Sequence, residues 1–528
     1  MTSAMPRAPA ISGISARKTL TAETGLVALA TAAVLLFMLV GIGRPIWQDD
    51  ANAALMSRND FHGLLEALRQ DNNLPVYYVL LSLWMRLFGE SEPALRSLSM
   101  VFYLAGTGMV FLLGSAIYKS RRTAFYACLL YLASAQLIHQ AQSVRMYTLL
   151  GFLSATSLLL FVRVFVEEGR SRRLASVYAI VNTVGMLTQV WFFFMLFGQF
   201  LCLALWLRRG VKKFIAFTAL SGATFFALWG SAFVSQLHNG STSWIPRFHP
   251  IFVLDILTEF YGNQSMGMGL FILLACAAPL VLAARPVRRA FLREDASRIV
   301  LTTVLACTLV PLAVSVMKPI YYPARYSTVC LPVLALLLGA ILTRLAPRPY
   351  AVALCYGILI ASMTWHIRDR NVVGNGGLPP GQSDRTTAEY ILRHAAPGDY
   401  IVFTNLTRAA ADYYFRRAGT AVRFVETSFP EGLDGHAGWL DRAAMLRHPD
   451  TLAAEAGRTT ERLAAAARTG KRIWLYDGLP GVSEFLRSNL DRNLALAERH
   501  DLRGPFHGEL LVYTARPETG TRADAHIR

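Results

Sequence analysis

The sequence predicts a mainly α-helical, polytopic transmembrane bundle with a C-terminal α/β domain, and three observations predict it. Of 528 residues, 54% are hydrophobic and 16% charged, against roughly 25% charged in soluble domains. The apolar residues gather into runs close to the ~20 residues that a helix needs to cross a hydrocarbon core. Beyond His366 those runs stop, and short strand-like stretches alternate with helical ones.

The formal net charge is +18. In a soluble chain such a charge suggests nucleic acid. Here many basic residues lie between apolar runs, as the positive-inside rule expects, and no basic patch is interleaved with aromatics. Nucleic acid is therefore excluded as a partner, and membrane lipid is expected. The six cysteines, Cys128, Cys202, Cys276, Cys307, Cys330 and Cys355, fall inside or beside apolar runs without metal-like spacing. Neither a structural disulfide nor a zinc site is expected.

In order, residues 1–24 read as a short basic cytoplasmic tail carrying Arg7, Arg17 and Lys18. The run from Leu26 to Gly43 lacks a small-residue cleavage site and reads as a retained first span. Residues 44–95 form a long outer loop whose apolar pieces, such as Val76–Leu81, are too short to cross and read as interfacial helices. Ten further spans are expected near 96–118, 123–140, 146–166, 174–188, 190–207, 213–234, 263–284, 299–317, 326–343 and 350–366, about eleven in all. The run 174–207 is divided into two short spans at Thr188-Gln189.

The transmembrane domain is thus placed at 25–369 and a linker at 370–382, rich in Gly and Pro. An outer α/β domain follows at 383–516, then a frayed tail at 517–528. In the α/β domain Ser383-Asp384 caps a helix reaching Arg393. Strands are expected at Tyr400–Phe403, Val422–Val425, Arg472–Tyr476 and Glu509–Tyr513, and a helix at 484–500.

Charge tests the topology. The five loops expected in the cytoplasm carry 17 Lys or Arg residues, whereas the short outer loops carry four: Arg145, Arg247, Lys318 and Arg325. That asymmetry puts the amino terminus inside and the C-terminal domain outside. It also puts Trp47-Gln48-Asp49-Asp50-Ala51 on the outer face, directly after the first span.

Two adjacent acids at a bilayer edge are costly to desolvate. Taken alone, such a pair is more often a solvated end of a helix. Arg145, Lys318 and Arg325 share its face, although each alone is more often a snorkelling residue. Together, carboxylates and cations around a membrane cavity suit a lipid-phosphate sugar. Cations would hold the phosphate and stabilise the charge that grows as the glycosidic bond breaks. A carboxylate would take the proton of an acceptor hydroxyl or amine. Asp255 and Glu259 are open to a role in acceptor binding but read first as a solvated helix face, His139 as an interfacial polar residue, and Trp244 and Tyr261 as interface anchors.

In the order of its motifs the chain resembles the GT-C membrane glycosyltransferases, in particular the family 39-type branch of protein mannosyltransferases and lipid A aminoarabinose transferases. The resemblance rests on Asp49-Asp50-Ala51, on Asn73-Leu74-Pro75-Val76-Tyr77-Tyr78, on Ser91-Glu92-Pro93-Ala94-Leu95-Arg96, on Gln142–Tyr147 with its Arg145, and on Arg325-Tyr326 followed by Pro332. Pro397-Gly398-Asp399 and Ile473-Trp474-Leu475 resemble the outer domain of bacterial members. Two departures stand out: Asp50 where the family usually has Glu, and Asn73 where it has His.

The resemblance implies an inverting transferase that uses a polyprenyl-phosphate sugar, with a lipid, glycan or protein acceptor, in a bacterial inner membrane. It implies Asp49 as base, Asp50 as its neighbour in the catalytic pair, and Arg145, Lys318 and Arg325 on the donor phosphate. Tyr77, Tyr147, Tyr322 and Tyr326 would line the cavity. No metal ligands are assigned, and a divalent metal stays open as a cofactor. Three rivals stay open too: a transporter or flippase of lipid-linked sugars, a polysaccharide polymerase or ligase, and a binding protein working through its C-terminal domain. The lack of an internal repeat and the acid pair after the first span favour the enzyme.

Overall fold

A computed structural model of the chain describes all residues except 1–12, 72, 168–170, 239–244, 263–264, 323–324, 373–380, 405, 420–423, 434–444, 479, 505–506 and 518–528. The expected tail 1–24, linker 370–382 and tail 517–528 lie wholly or partly outside the described residues, as does Trp244.

Helices stand where each of the about eleven expected spans was placed. Among the described residues six helices are long and apolar enough to cross a membrane: Glu92–Tyr118, Tyr147–Val166, Val211–His238, Asp295–Met317, Tyr326–Leu345 and Arg348–Ile367. A seventh results if Phe252–Tyr261 and Met266–Leu282, bent by 76°, form one broken span. Apart from the 28-residue first helix, whose apolar part is Thr24–Leu39, the others are short or interrupted. Residues 121–141 break at Ala133-Ser134 into Arg121–Leu132 and Ala135–Ala141. The run 174–207 divides, as expected, into Arg172–Met186 and Phe192–Cys202 around Thr188-Gln189. The first helix, Gly13–Val40, begins inside the expected tail, and the last, Arg348–Val372, outruns its expected end. Several apolar helices of this length make the chain an integral membrane protein.

Small residues bring the bundle together. A Cβ on Gly339 would lie 2.8 Å from the Ala127 backbone nitrogen, and one on Gly114 would lie 2.9 Å from Ala124 Cα. Helices Glu92–Tyr118, Arg121–Leu132 and Leu331–Leu345 therefore touch almost backbone to backbone, the packing that replaces the hydrophobic effect within lipid. Between the first helix and Glu92 lie three short helices, Gln48–Arg58, Phe61–Gln70 and Pro75–Phe88. Asp60 caps the second by accepting from Gly63 N, and Pro75 starts the third, where a missing N–H costs nothing.

The C-terminal domain holds a five-stranded sheet: β1 (Tyr400–Thr404), β2 (Val425–Phe429), β3 (Ile473–Gly478), β4 (Ala495–His500) and β5 (His507–Thr514), in the order β2-β1-β3-β5-β4. β1 runs parallel to β2 and β3, and β5 antiparallel to β3 and β4. The helix expected over 484–500 ends at Asn493, because 495–500 is edge strand β4. One face of the sheet, with Val402, Leu475 and Leu511, packs on Leu463, Leu486 and Leu490 of helices Pro449–Arg468 and Val482–Asn493. The other face, with Ile401, Phe403, Trp474 and Tyr476, joins through helices Asp384–His394 and Arg408–Arg417 the same apolar core as the membrane helices. Both domains therefore share one continuous core at the end of the bundle that carries Asp49.

Candidate active site

Asp49 and Asp50 stand in the first turn of Gln48–Arg58, where the helix dipole favours negative charge. Neighbours on a helix point about 100° apart, so two adjacent acids cannot share one environment. Asp49 Oδ2 accepts from Arg325 Nη1 at 3.0 Å, and the two side chains are 24% and 23% exposed. Asp50 is buried, and its Oδ1 accepts from Val144 N at 2.9 Å. Burial pushes the Asp50 carboxyl above its ordinary value, while the charge of Arg96 and the Val144 N–H pull it back. The pair thus divides into one partly exposed carboxylate and one buried.

Arg325 lies over two rings, its guanidinium carbon 5.5 Å from the centre of Trp47 and 5.1 Å from that of Tyr322. Such placement holds the fork in one orientation at little loss of hydration. Arg145 lies close enough to Asp49 and Arg325 to interact with both charges. Its Nη1 donates to Tyr78 Oη at 3.1 Å and its Nη2 to Asn73 Oδ1 at 3.3 Å, while Nε is buried without a described partner. Asn73 in turn donates to Asp71 at 2.7 Å. Asn73 therefore carries a hydrogen-bonding role at the position where the resemblance expects His.

Tyr147 and Tyr326 face each other with ring centres 6.3 Å apart, and Trp191 lies 5.7 Å from Tyr326. Together they form an aromatic wall beside Arg325. Two expected site residues are not brought into this group. Lys318 is exposed, and its described hydrogen bond goes to Leu237 O at 2.9 Å. Tyr77 is fully buried, and its Oη pairs with Ser99 Oγ at 3.0 Å, which itself donates to Arg145 O at 3.2 Å. Tyr77 thus acts from behind, as packing for the Arg145 backbone.

Four residues outside the expected set shape the site. Glu259 is buried rather than solvated: it accepts from Tyr321 Oη and, at 2.7 Å, from Ser327 Oγ. Those two residues flank Arg325 in sequence, so Glu259 ties down both sides of the arginine's loop. Arg96 is 1% exposed and donates to the carbonyls of Ile42 (2.7 Å), Arg44 (2.6 Å) and Pro45 (3.0 Å), the segment entering the Asp49 helix. Tyr78 and Asn73 orient Arg145. Arg96 left a sequence signal as a charge at the start of an apolar span, and Asn73 and Tyr78 as members of the Asn73–Tyr78 motif, but none of the three signals foretold its contact. Tyr261, expected at the interface, is buried as well. His139 lies 6.0 Å from the ring of His366, its Nδ1 buried without a described partner. Asp255 is half-exposed, nearer its expected solvated position. Among the described residues no three His, Cys, Asp or Glu side chains gather as metal ligands would.

Residues 72–230 match the family described as dolichyl-phosphate-mannose-protein mannosyltransferase. ArnT from Cupriavidus metallidurans, in its apo structure, is 13% identical with a TM-score of 0.59, the match covering 94% of this chain and 100% of that one. The structure of ArnT bound to undecaprenyl phosphate matches equally well, at 13% identity and a TM-score of 0.59, over 93% and 98% of the two chains. The fold is that of the GT-C glycosyltransferases. The Archaeoglobus fulgidus oligosaccharyltransferase tethered to an acceptor peptide shares this GT-C fold at 9% identity and a TM-score of 0.53, over 94% of this chain and 74% of that one. No curated protein sequence matches the chain. The GT-C resemblance read from the motifs is thus borne out by the family match and by the fold.

Proposed function

We propose that this protein is an inverting glycosyltransferase that moves a sugar from a polyprenyl-phosphate donor to a lipid, glycan or protein acceptor at the outer face of the membrane. The observation that carries the reading is the Asp49–Arg325 pair at 3.0 Å, one-quarter exposed and beside Arg145. Such a pair is still open to solvent on one side, so a competing anion can reach and break it. A donor phosphate offers Arg325 a bidentate partner. Once Arg325 turns to the phosphate, Asp49 loses its cation and is available as a base.

The acceptor oxygen or nitrogen then attacks the anomeric carbon while the bond from that carbon to the phosphate oxygen breaks. The electron pair leaves with polyprenyl phosphate, held by Arg325 and Arg145, and the acceptor proton goes to Asp49. A single displacement inverts the anomeric centre. The donor's isoprenoid tail would lie among the membrane helices, and the C-terminal domain would lie outside the cytoplasm. Supporting this reading, ArnT has been captured with undecaprenyl phosphate and the archaeal oligosaccharyltransferase with an acceptor peptide.

The test is a membrane assay in which labelled polyprenyl-phosphate sugars are offered with candidate acceptors. A labelled product that inverts the donor's anomeric configuration, and vanishes in the Asp49→Asn variant, is expected. Movement of intact donor between leaflets without a glycosylated product would favour a flippase instead.

A further inference from the structure

Asp49 is approached by an irregular segment, residues 42–46, which leaves the first helix and enters Gln48–Arg58. Backbone groups after a helix end need partners from elsewhere. Here every residue of the segment has one from a side chain. Arg96 takes the carbonyls of Ile42, Arg44 and Pro45. The other two partners come from the C-terminal domain: Arg385 Nη2 donates to Gly43 O at 2.9 Å, and Tyr414 Oη accepts from Ile46 N at 2.8 Å.

The same domain grips the membrane helix that carries Arg96. Glu92, one turn before Arg96, has a side chain 4% exposed and accepts from both Arg385 and Arg417. Tyr413 Oη donates to Glu90 O at 2.7 Å. The Arg385 guanidinium lies 5.7 Å from the Tyr414 ring centre. Helix Arg408–Arg417, which carries Tyr413, Tyr414 and Arg417, packs directly on Gln48–Arg58. Of these two long, entropically expensive arginines, Arg385 reaches the backbone that leads to the acid pair, and Arg417 holds the Glu92 side chain beside it.

We propose that the C-terminal domain serves transfer as a splint: Arg385 and Tyr414 fix segment 42–46 and thereby hold Asp49 in line with the acceptor. Both are positioning residues, and the inference rests on Asp49 being the base. A displacement of about 1 Å in a reacting group lowers turnover on the order of 100-fold. Loosening one of five backbone ties would shift Asp49 by less.

The test uses the full-length protein and two variants, Tyr414→Phe, which keeps the ring and removes the acceptor oxygen, and Arg385→Gln. Arg468→Ala, an exposed arginine elsewhere in the domain, is the control. Undecaprenyl-phosphate mannose, glucose and aminoarabinose are offered separately. Each splint variant is expected to lower kcat about 5- to 20-fold with donor KM within about twofold of wild type. Amide hydrogen exchange over residues 41–56, which needs no substrate, is expected to quicken about 10-fold in both variants and not in the control. Unchanged exchange in the folded variants overturns the splint, as does a kcat loss that merely follows a lowered melting temperature. An inactive Asp49→Asn beside splint variants with wild-type kcat would sink the splint alone. A fully active Asp49→Asn would sink the reading of the site.

Discussion

Asp399 in the C-terminal domain and Asp49 in the membrane domain each face an arginine, at 3.1 Å from Arg472 and 3.0 Å from Arg325. The surroundings differ completely. Asp399 is 2% exposed and also accepts from Trp474 Nε1 (3.0 Å), Arg472 N (3.0 Å) and Ala396 N (2.9 Å). Burial alone would push its carboxyl up. The Trp474 indole, the two N–H groups and the Arg472 charge overcome that, and hold it below the usual carboxylate range. Asp49 has one described side-chain hydrogen bond and stands a quarter open. A carboxylate held by four donors is a rivet, because the fold stabilises its charged form. One with a single removable partner can still accept a proton from a substrate.

The sharpest way to break this contrast is to neutralise Asp49. Asp49→Asn is expected to cut transfer at least about 1,000-fold while leaving expression and melting temperature nearly unchanged, since the lost pair is a single contact a quarter exposed. A variant that melts far earlier would mean that Asp49 too is structural. The converse is Asp399→Ala, which strands Arg472, Trp474 Nε1 and two backbone N–H groups. It is expected to cost about 3 kcal/mol in a denaturant melt of the C-terminal domain. A cost under about 1 kcal/mol would erase the distinction from the other side. Next comes Arg325→Ala, expected to raise donor KM about 30-fold, the worth of one charge-assisted fork, with Arg325→Lys in between. Equal donor KM in all three proteins would remove the phosphate role.

The same contrast explains how much was legible in the sequence. Asp49, Arg145 and Arg325 announced themselves because each is a charge at the rim of an apolar run, where desolvation makes idle charges rare. Lys318 satisfied that criterion equally well, and only the fold separates it from Arg325, seven residues on, by turning it toward Leu237. Glu259 failed it for a reason of depth. Asp255 and Glu259 are four apart on helix Phe252–Gly262 and share a face, yet the second sits one turn deeper, where Tyr321 and Ser327 close over it. Periodicity reports the face of a helix and not what packs along its length. Strand β4 was missed for a related reason. Ala-Leu-Ala-Glu-Arg-His has helix-forming composition, and only pairing with β5 along Leu496–His500 makes it a strand. The GT-C fold was legible because it is written in long apolar runs and in the order of motifs between them. Asn73, Tyr78 and Arg96 belong to those motifs, but their contacts to Arg145 and to segment 42–46 depend on tertiary register.

Glu426 supplies the smallest test and an intermediate case between rivet and reagent. It lies on β2, its side chain 20% exposed, with Arg408 Nη2 at 3.6 Å. Arg408 already bonds Asp412 at 3.2 Å, and Arg416 adds a second, weaker positive charge. One arginine therefore serves two acids. Burial first and the Asp412 charge second push the Glu426 carboxyl up to about 7. A carboxyl raised above its unfolded value binds its proton more tightly in the folded state, so the stability it contributes is complete at acid pH and is lost as pH rises toward 7. The melting temperature of the C-terminal domain is accordingly expected to fall by about 4 °C between pH 5 and pH 8. Glu426→Gln, which mimics the protonated form, should flatten that slope and leave turnover unchanged. A melting temperature that climbs over the same interval, or a slope indifferent to the substitution, would show that Arg408 satisfies both carboxylates after all and that Glu426 belongs with Asp399.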